Sequence, residues 1–187
     1  SQGFTVYQSE PLGTPNIPQI YDLTDGLDEN DILGFQKLDE KFAYIAECGL
    51  VHANSQLFFT DEISNPAYTP EYLRLLARFW VARYGSYPVL WTVAQEIDPH
   101  CYGTVYPERW YTVAEAIAEF DAYRHPLTAH GANNCLLTSE NSAWNDKPYH
   151  SWFGLQPQEY TLNNTSYLKD FYQIAKPIVC YETGYEE

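Results

Sequence analysis

The chain has 187 residues, of which 45 % are apolar, so it is long enough to bury one hydrophobic core and is not globally disordered. Its 25 acidic and 10 basic residues give a formal net charge of −15, which repels nucleic acid phosphates and anionic membrane surfaces. The composition therefore excludes nucleic acid and membrane partners, and no apolar run approaches the about 20 residues of a membrane span.

The termini and the cysteines bear on processing. The chain has no Met, begins at Ser1 and opens with no signal-peptide pattern, so we expect it to be processed or part of a longer chain. Cys48 and Cys180 follow helical and strand patterns and are predicted to be buried free thiols. A disulfide between Cys101 and Cys135 is left open by the sequence. Overlapping glycosylation sequons at 163–166 matter only in a eukaryotic secreted protein.

The first half of the chain alternates strand and helix patterns. Residues 4–8 read as a strand, and a long polar loop follows through about residue 30. Apolar residues at helical spacing from Leu38 to Ala46 predict a helix that Gly49 ends, and residues 50–59 form the next strand.

A second helix is marked at both ends. Thr69 is a capping residue, Pro70 occupies the first helical position, and Gly85 follows the last helical residue, Tyr84. The apolar run 89–95 is the clearest buried strand of the chain.

The second half repeats this alternation. We predict a helix at 111–123, strands at 127–130 and 149–155, a weak helix at 167–175 and a last strand at 177–181. Six strands with intervening helices indicate βα units around a parallel sheet. No domain boundary is visible, so we expect a single α/β domain over residues 1–187.

Two of the predicted strands run directly into a glutamate, Glu96 and Glu182. The carboxyl ends of parallel strands gather reactive groups on one face, and a carboxylate there costs desolvation. Glycoside cleavage needs such a pair, one acid that protonates the leaving oxygen and one carboxylate that attacks the anomeric carbon. A carboxyl separation of about 5 Å gives retention, and about 6.5–9.5 Å gives inversion.

The order of five segments resembles clan-A glycoside hydrolases, and within that clan it is most similar to the apiosidase-like family. The segments are FTVYQ, KLDEKFAYIAECGL, YLRLLARFWVARYGSYPVLWTVAQEID, HPLTAHG and KPIVCYETGYE. The resemblance implies strands 2 to 7 of a (β/α)8 TIM barrel, with Glu96 as acid/base after strand 4 and Glu182 as nucleophile after strand 7. It also implies a secreted or periplasmic retaining enzyme that degrades a plant-type or microbial polysaccharide or oligosaccharide without a cofactor.

The chain departs from this pattern in three ways. The clan places Asn before the acid/base, where it binds the sugar 2-hydroxyl, and this chain has Gln95. The apiosidase-like pattern carries Gly-Gly-Asp at residues 94–96, which are Ala-Gln-Glu here. These two differences bear on the sugar rather than on the reaction. Barrel strands 1 and 8 have no counterpart, so the domain is expected to be a partial barrel that another chain or segment completes.

Further candidates follow from their predicted positions. His130, expected at the end of strand 5, binds substrate, positions Glu182 or is structural. Trp144 is either a stacking platform for sugar or a loop anchor. Other predicted substrate-binding residues are Gln95 and, expected near the exit of strand 6, Trp152 and Gln156. Asn54 and Gln56, within strand 3, have only a weak claim to bind substrate. Asp98 is the reserve acid after Glu96, and Tyr185 and Glu186 are candidates for orienting the nucleophile.

The sequence gives less support to three rival functions. A metal-dependent hydrolase would use His52, His100, His130, His150 and a carboxylate, but the sequence has no HxH or HExxH spacing, so no metal is expected. Serine or cysteine chemistry lacks a GxSxG elbow. The remaining alternative is a carbohydrate-binding pseudoenzyme, an aromatic-rich barrel that holds a glycan without cleaving it.

Overall fold

The structure, a computed structural model, describes residues 3–9, 28–54, 66–93, 107–132, 142–156, 169, 171 and 173–180. Within these ranges lie the helices α1 (Glu29–Glu47), α2 (Pro70–Tyr84), α3 (Pro107–Phe120) and α4 (Ser142–Asn145). The strands are β1 (Val6–Ser9), β2 (Val51–Asn54), β3 (Val89–Thr92), β4 (Leu127–Thr128), β5 (His130–Ala132), β6 (Phe153–Gln156) and β7 (Ile178–Cys180).

The described strands pair in chain order, and every pairing is parallel. Two ladders are formed, β1-β2-β3-β4 and β5-β6-β7. They are joined because Ala129 alone separates β4 from β5, and because the backbone N–H of Ser151 donates to the carbonyl of Leu127 at 2.8 Å. Residues 127–132 thus pair with β3 on one side and β6 on the other. This confirms the predicted α/β class with a parallel sheet.

Helices cover one face of the sheet. Side chains of α1, α2, α3 and the strands form one large buried cluster that includes Leu38, Trp80, Trp110 and Phe153. A smaller cluster contains Ala53 of β2 and Trp152, with Leu90 of β3 packed against it. Trp152 leads into β6, which is not a neighbour of β2 in the strand order, so its contact with Ala53 requires the sheet to curve. None of the described helices is long and apolar enough to cross a membrane.

Capping chemistry sets the starts of the first two helices. The Asp28 carboxylate accepts from the backbone N–H of Asp31, and the Asp31 carboxylate accepts from that of Asp28, which forms a capping box. The hydroxyl of Thr69 accepts from the backbone N–H of Tyr72, as the sequence predicts. The capping box starts α1 at Glu29, well before the periodic stretch that was predicted.

Several predicted bounds shift. Helix α3 begins at Pro107 rather than at residue 111, and α4 was not predicted. Strand β6 is 153–156 rather than 149–155, and β5 continues past His130 to residue 132. Residues 169 and 171, within the predicted weak helix, are helical.

The burial predicted for two cysteines is wrong. Cys48 and Cys180 are free thiols, but both are exposed. Cys48 is the C-cap of α1, beyond the last buried residue of the helix, Ile45, and Cys180 lies on β7, which pairs with β6. Cys101, Cys135 and the sequons at 163–166 lie outside the described residues.

Candidate active site at the carboxyl ends of the strands

The strand registers bring the carboxyl ends of the strands to one edge. Ser9 at the end of β1 lies opposite Asn54 at the end of β2, and Asn54 lies opposite Trp91 of β3. On the other ladder, Ala132 at the end of β5 lies opposite Gln156 at the end of β6. All these strands run the same way, so the segments that leave them start along a common edge, where parallel α/β folds place active sites.

The two predicted catalytic residues follow strands that end at this edge. Strand β3 ends at Thr92, four residues before Glu96 in the sequence, and β7 ends at Cys180, two residues before Glu182. Glu96, Glu182, Gln95 and the reserve acid Asp98 lie outside the described residues. Their catalytic and substrate-binding roles therefore stay predictions. Gln56, His100, Tyr185 and Glu186 also lie outside the described ranges.

His130 lies within the paired part of the sheet. It is the first residue of β5, opposite Gly154 of β6, and not the last residue of its strand as predicted. Only 2 % of His130 is exposed, and burial lowers its pKa to about 4. The imidazole is therefore neutral at pH 7 and can exchange hydrogen bonds but cannot supply a positive charge.

The other strand candidates divide between the two ends of the sheet. Gln156 and Asn54 are the last residues of β6 and β2, at the carboxyl edge where a sugar site was expected. Trp152 immediately precedes β6, so it lies at the amino end of that strand and not near its exit as predicted. It is 4 % exposed and packs with Ala53 on the inner face of the curved sheet.

Trp144 belongs to the core. It lies on α4, is 1 % exposed, and stacks on Tyr111 of α3 with ring centroids 5.9 Å apart and planes 11° apart. Tyr149 and His150 contact the same ring. With its faces covered, the indole cannot stack on a sugar, so that prediction is wrong and the structure agrees with the loop-anchor alternative.

The described histidines of the rival metal site, His52, His130 and His150, lie in separate environments. His52 meets the Ser9 hydroxyl at 2.8 Å and the ring of Phe42, while Nδ1 of His150 lies 3.3 Å from Nζ of Lys176. Among the described residues, no three His, Cys, Asp or Glu side chains are grouped as metal ligands. Burial lowers the pKa of both His52 and His150 to about 3, so both rings are neutral structural groups.

Asp121, which follows α3, is the centre of a buried hydrogen-bond network that the sequence did not predict. Its carboxylate accepts from the indole of Trp91 at 2.9 Å and from the backbone N–H and Nδ1 of His125 at 2.8 and 3.0 Å. The i, i+4 spacing of Asp121 and His125 was the one sequence signal for this pair. The pairing with Trp91 depends on tertiary packing that no local pattern encodes.

The parallel strands, the helical layer and the shared carboxyl edge define an α/β fold of the kind found in TIM-barrel glycoside hydrolases. A solved glycoside hydrolase matches with a TM-score of 0.74 and 18 % sequence identity, over 99 % of this chain and 46 % of its own. A family 5 glycoside hydrolase from Bacteroides vulgatus ATCC 8482 matches with a TM-score of 0.74 and 19 % identity, over 98 % and 44 %. A Bifidobacterium dentium beta-glucuronidase matches with a TM-score of 0.60 and 15 % identity, over 98 % and 33 %.

These similarities establish the fold class. The chain spans less than half the length of each of these three structures. No protein-family model matches the sequence, and no curated protein does. The resemblance to the apiosidase-like family therefore stays a prediction.

Proposed function

We propose that this chain carries the active-site part of a retaining glycoside hydrolase that cleaves O-glycosidic bonds of a polysaccharide or oligosaccharide. One observation supports the proposal: the chain has the fold of TIM-barrel glycoside hydrolases, and its strands β3 and β7 end four and two residues before Glu96 and Glu182 in the sequence. As a polymer-degrading hydrolase, the protein would act outside the cytoplasm, secreted or in the periplasm.

The proposed reaction uses the two carboxyl groups in sequence. Glu182 attacks the anomeric carbon while Glu96 donates its proton to the glycosidic oxygen, so the carbon–oxygen bond to the leaving group breaks as the glycosyl–enzyme ester forms. Glu96 then takes a proton from water, whose oxygen displaces Glu182 and releases the sugar with retained configuration. No cofactor is needed.

His130 and Gln156 are proposed to support substrate binding. Their strands pair next to each other, with Gly154 opposite His130 and Gln156 opposite Ala132. Because the imidazole of His130 is neutral at pH 7, it could donate a hydrogen bond to a sugar hydroxyl, or accept one from it, without adding positive charge to the site. Gln95 is the proposed partner of the sugar 2-hydroxyl.

We also propose that further parallel strands, from another segment or another chain, close the barrel between β1 and β7. Strands of parallel sheets are normally buried on both faces. Here Phe4, Val6 and Tyr7, in and beside β1, are 75 %, 45 % and 45 % exposed, and Val179 of β7 is 44 % exposed. Within the described residues, β1 pairs with β2 and β7 pairs with β6, so each has one edge available.

Hydrolysis of a panel of 4-nitrophenyl glycosides tests the proposed function. We expect the chain to release nitrophenolate from at least one glycoside, and Glu96→Gln and Glu182→Gln each to lower kcat/KM by about 10²–10⁴-fold. Glu119→Gln is the matched control, because Glu119 lies on α3 with its side chain 56 % exposed and paired with Arg74 at the surface.

Two results would overturn the proposal. Equal turnover by the wild type and both variants would show that the carboxyl groups play no part in the reaction. A wild-type chain that binds sugar but hydrolyses no glycoside would support the alternative, a carbohydrate-binding pseudoenzyme. The structural similarity to glycoside hydrolases does not favour that alternative.

A further inference from the structure

A cavity of about 320 Å³ lies at the amino ends of β4 and β6, at the edge of the sheet away from the proposed active site. It is bounded by the end of α3, the turn that leads into β4 and the segment before β6. Its lining residues are Ile117, Ala118, Asp121, Arg124, His125, Leu127, Pro148, Tyr149 and Ser151. The proposed glycosidase reaction does not involve this cavity.

The buried carboxylate of the cavity is fully engaged by the protein. The side chain of Asp121 is 2 % exposed and accepts from Trp91, the backbone N–H of Tyr123, and the backbone and ring of His125. Burial alone would raise the pKa of Asp121, but the hydrogen bonds from Trp91 and His125 outweigh it and hold the pKa below its ordinary value. Asp121 is therefore a positioning group that has no lone pair to spare for a ligand cation.

The cavity offers a ligand polar side-chain atoms that can form hydrogen bonds, next to an apolar wall. The His125 ring is oriented by its Nδ1 contact with Asp121, which leaves Nε2 to interact elsewhere. Arg124 is exposed and makes no ion pair with any other described residue. Ile117 and Leu127 supply buried apolar surface, and Tyr149 supplies its ring, since its hydroxyl oxygen is buried.

The charges around the cavity offset one another. Arg124 brings one positive charge, whereas Asp121 and the negative end of the α3 dipole bring the opposite sign. A free cation or anion therefore gains little from this site. A neutral molecule with several hydroxyl groups can use both the donors and the acceptors.

The volume limits the size of the ligand. Small-molecule pockets span about 300–1,000 Å³, so this cavity takes a molecule about the size of one ring. An apolar, partly aromatic wall beside hydrogen-bonding tips suits a pyranose, which has an apolar C–H face and polar edges. We propose that this cavity binds one neutral sugar ring, as a second carbohydrate site remote from the catalytic edge. The choice of a sugar among neutral polyhydroxylated ligands rests on the proposed glycosidase function.

The backbone at Arg124 provides a second reason to assign a role to this residue. Arg124 has φ 56°, the one positive φ of a non-glycine residue among the described residues. This left-handed conformation favours glycine, so an arginine here is strained. Strain of this kind recurs at ligand sites, where the side chain is needed although the backbone would accept glycine. It also supplies a variant, Arg124→Gly, that removes the side chain while relieving the backbone.

The test is an NMR titration of the ¹⁵N-labelled chain with methyl β-D-glucopyranoside. We expect saturable shifts, with a millimolar Kd, at the backbone amides of Arg124, His125 and Ser151. Arg124→Gly should raise the Kd at least fivefold without lowering the urea midpoint of unfolding, and the control Arg78→Ala, an exposed change on α2, should leave the Kd unchanged.

Three results would overturn the proposal. The first is the absence of a saturable shift at these amides, and the second is an unchanged Kd in Arg124→Gly. The third is that sodium acetate or guanidinium binds to the cavity more tightly than the glycoside does. Glu182→Gln separates this proposal from the glycosidase proposal, because it should abolish hydrolysis and leave these shifts intact. Hydrolysis without the shifts would refute the cavity alone, and shifts without hydrolysis would refute the glycosidase alone.

Discussion

We expect three buried histidines to make the stability of this protein steeply dependent on pH. His52, His130 and His150 are at most 2 % exposed, and burial is the largest cause that lowers their pKa values, to about 3, 4 and 3. Lys41 beside His52 and Lys176 beside His150 lower those two pKa values further. In the unfolded chain, each histidine titrates near pH 6.5.

The direction of the pH effect on stability follows from the number of protons that the folded and unfolded chains bind. Between about pH 6.5 and 4, the unfolded chain binds protons at these three sites and the folded chain does not, so acid favours unfolding. Each histidine then removes about 1.4 kcal/mol of stability per pH unit, and the three together remove about 4 kcal/mol between pH 6 and 5. A domain of ordinary stability, about 5–15 kcal/mol, would lose much of it by pH 4.5.

Urea unfolding at several pH values measures this effect. We expect the free energy of unfolding to fall steeply from pH 6 to 5, and the ring resonances of His52, His130 and His150 to keep neutral-imidazole shifts over that range. His52→Gln should reduce the slope by about a third, because it removes one of three equivalent proton-binding differences. A flat profile, or ring resonances of these histidines that titrate near pH 6.5, would refute the reasoning.

Three smaller predictions concern the core and the surface. Asp121→Asn should lower the free energy of unfolding in urea by about 2 kcal/mol, because the buried donors around it lose a charged acceptor. The surface control Glu119→Gln should change it by no more than about 0.5 kcal/mol. Equal losses in the two variants would contradict the role of Asp121 as the buried acceptor. Trp144→Ala should cost about 3–5 kcal/mol by the same assay, and a cost near that of a surface change would contradict its place in the core. Cys48 and Cys180 should react rapidly with a thiol reagent in the folded protein, and replacement of either by Ser should remove one rapidly reacting thiol; slow labelling until urea is added would contradict their exposure.

Features with local signals were predictable from the sequence. Helix α2 has the bounds that Thr69, Pro70 and Gly85 indicate, because capping and helix-ending residues act through neighbouring backbone groups. The alternation of strands and helices predicted the parallel sheet for a similar reason, since the periodicity of apolar residues is a local property. Asp28 and Asp31 carry a capping-box signal for the start of α1. The predicted polar loop, which continues through about residue 30, includes Asp28 and so hides that signal.

Features that depend on tertiary contacts were not predictable. The strand pattern 149–155 gives no sign that pairing with β7 begins only at Phe153, or that Trp152 packs across the curved sheet against Ala53. Trp144 is a residue type that often stacks on sugar rings, and only its stacking on Tyr111 shows that it belongs to the hydrophobic core. That Glu96 and Glu182 follow β3 and β7 is a matter of sequence order, and the structure adds that both of these strands belong to parallel ladders.

The proposed mechanism requires Glu182 to form a covalent bond to the sugar. The chain would be incubated with a 2-deoxy-2-fluoro glycoside carrying a fluoride leaving group, which slows hydrolysis of the glycosyl–enzyme ester, and its peptides would be analysed by mass spectrometry. We predict that the peptide containing Glu182 gains the mass of one fluorosugar, and that Glu182→Gln gains none. Attachment of the sugar to a different residue, or turnover of ordinary glycosides with inversion and no labelling, would contradict the retaining two-glutamate mechanism.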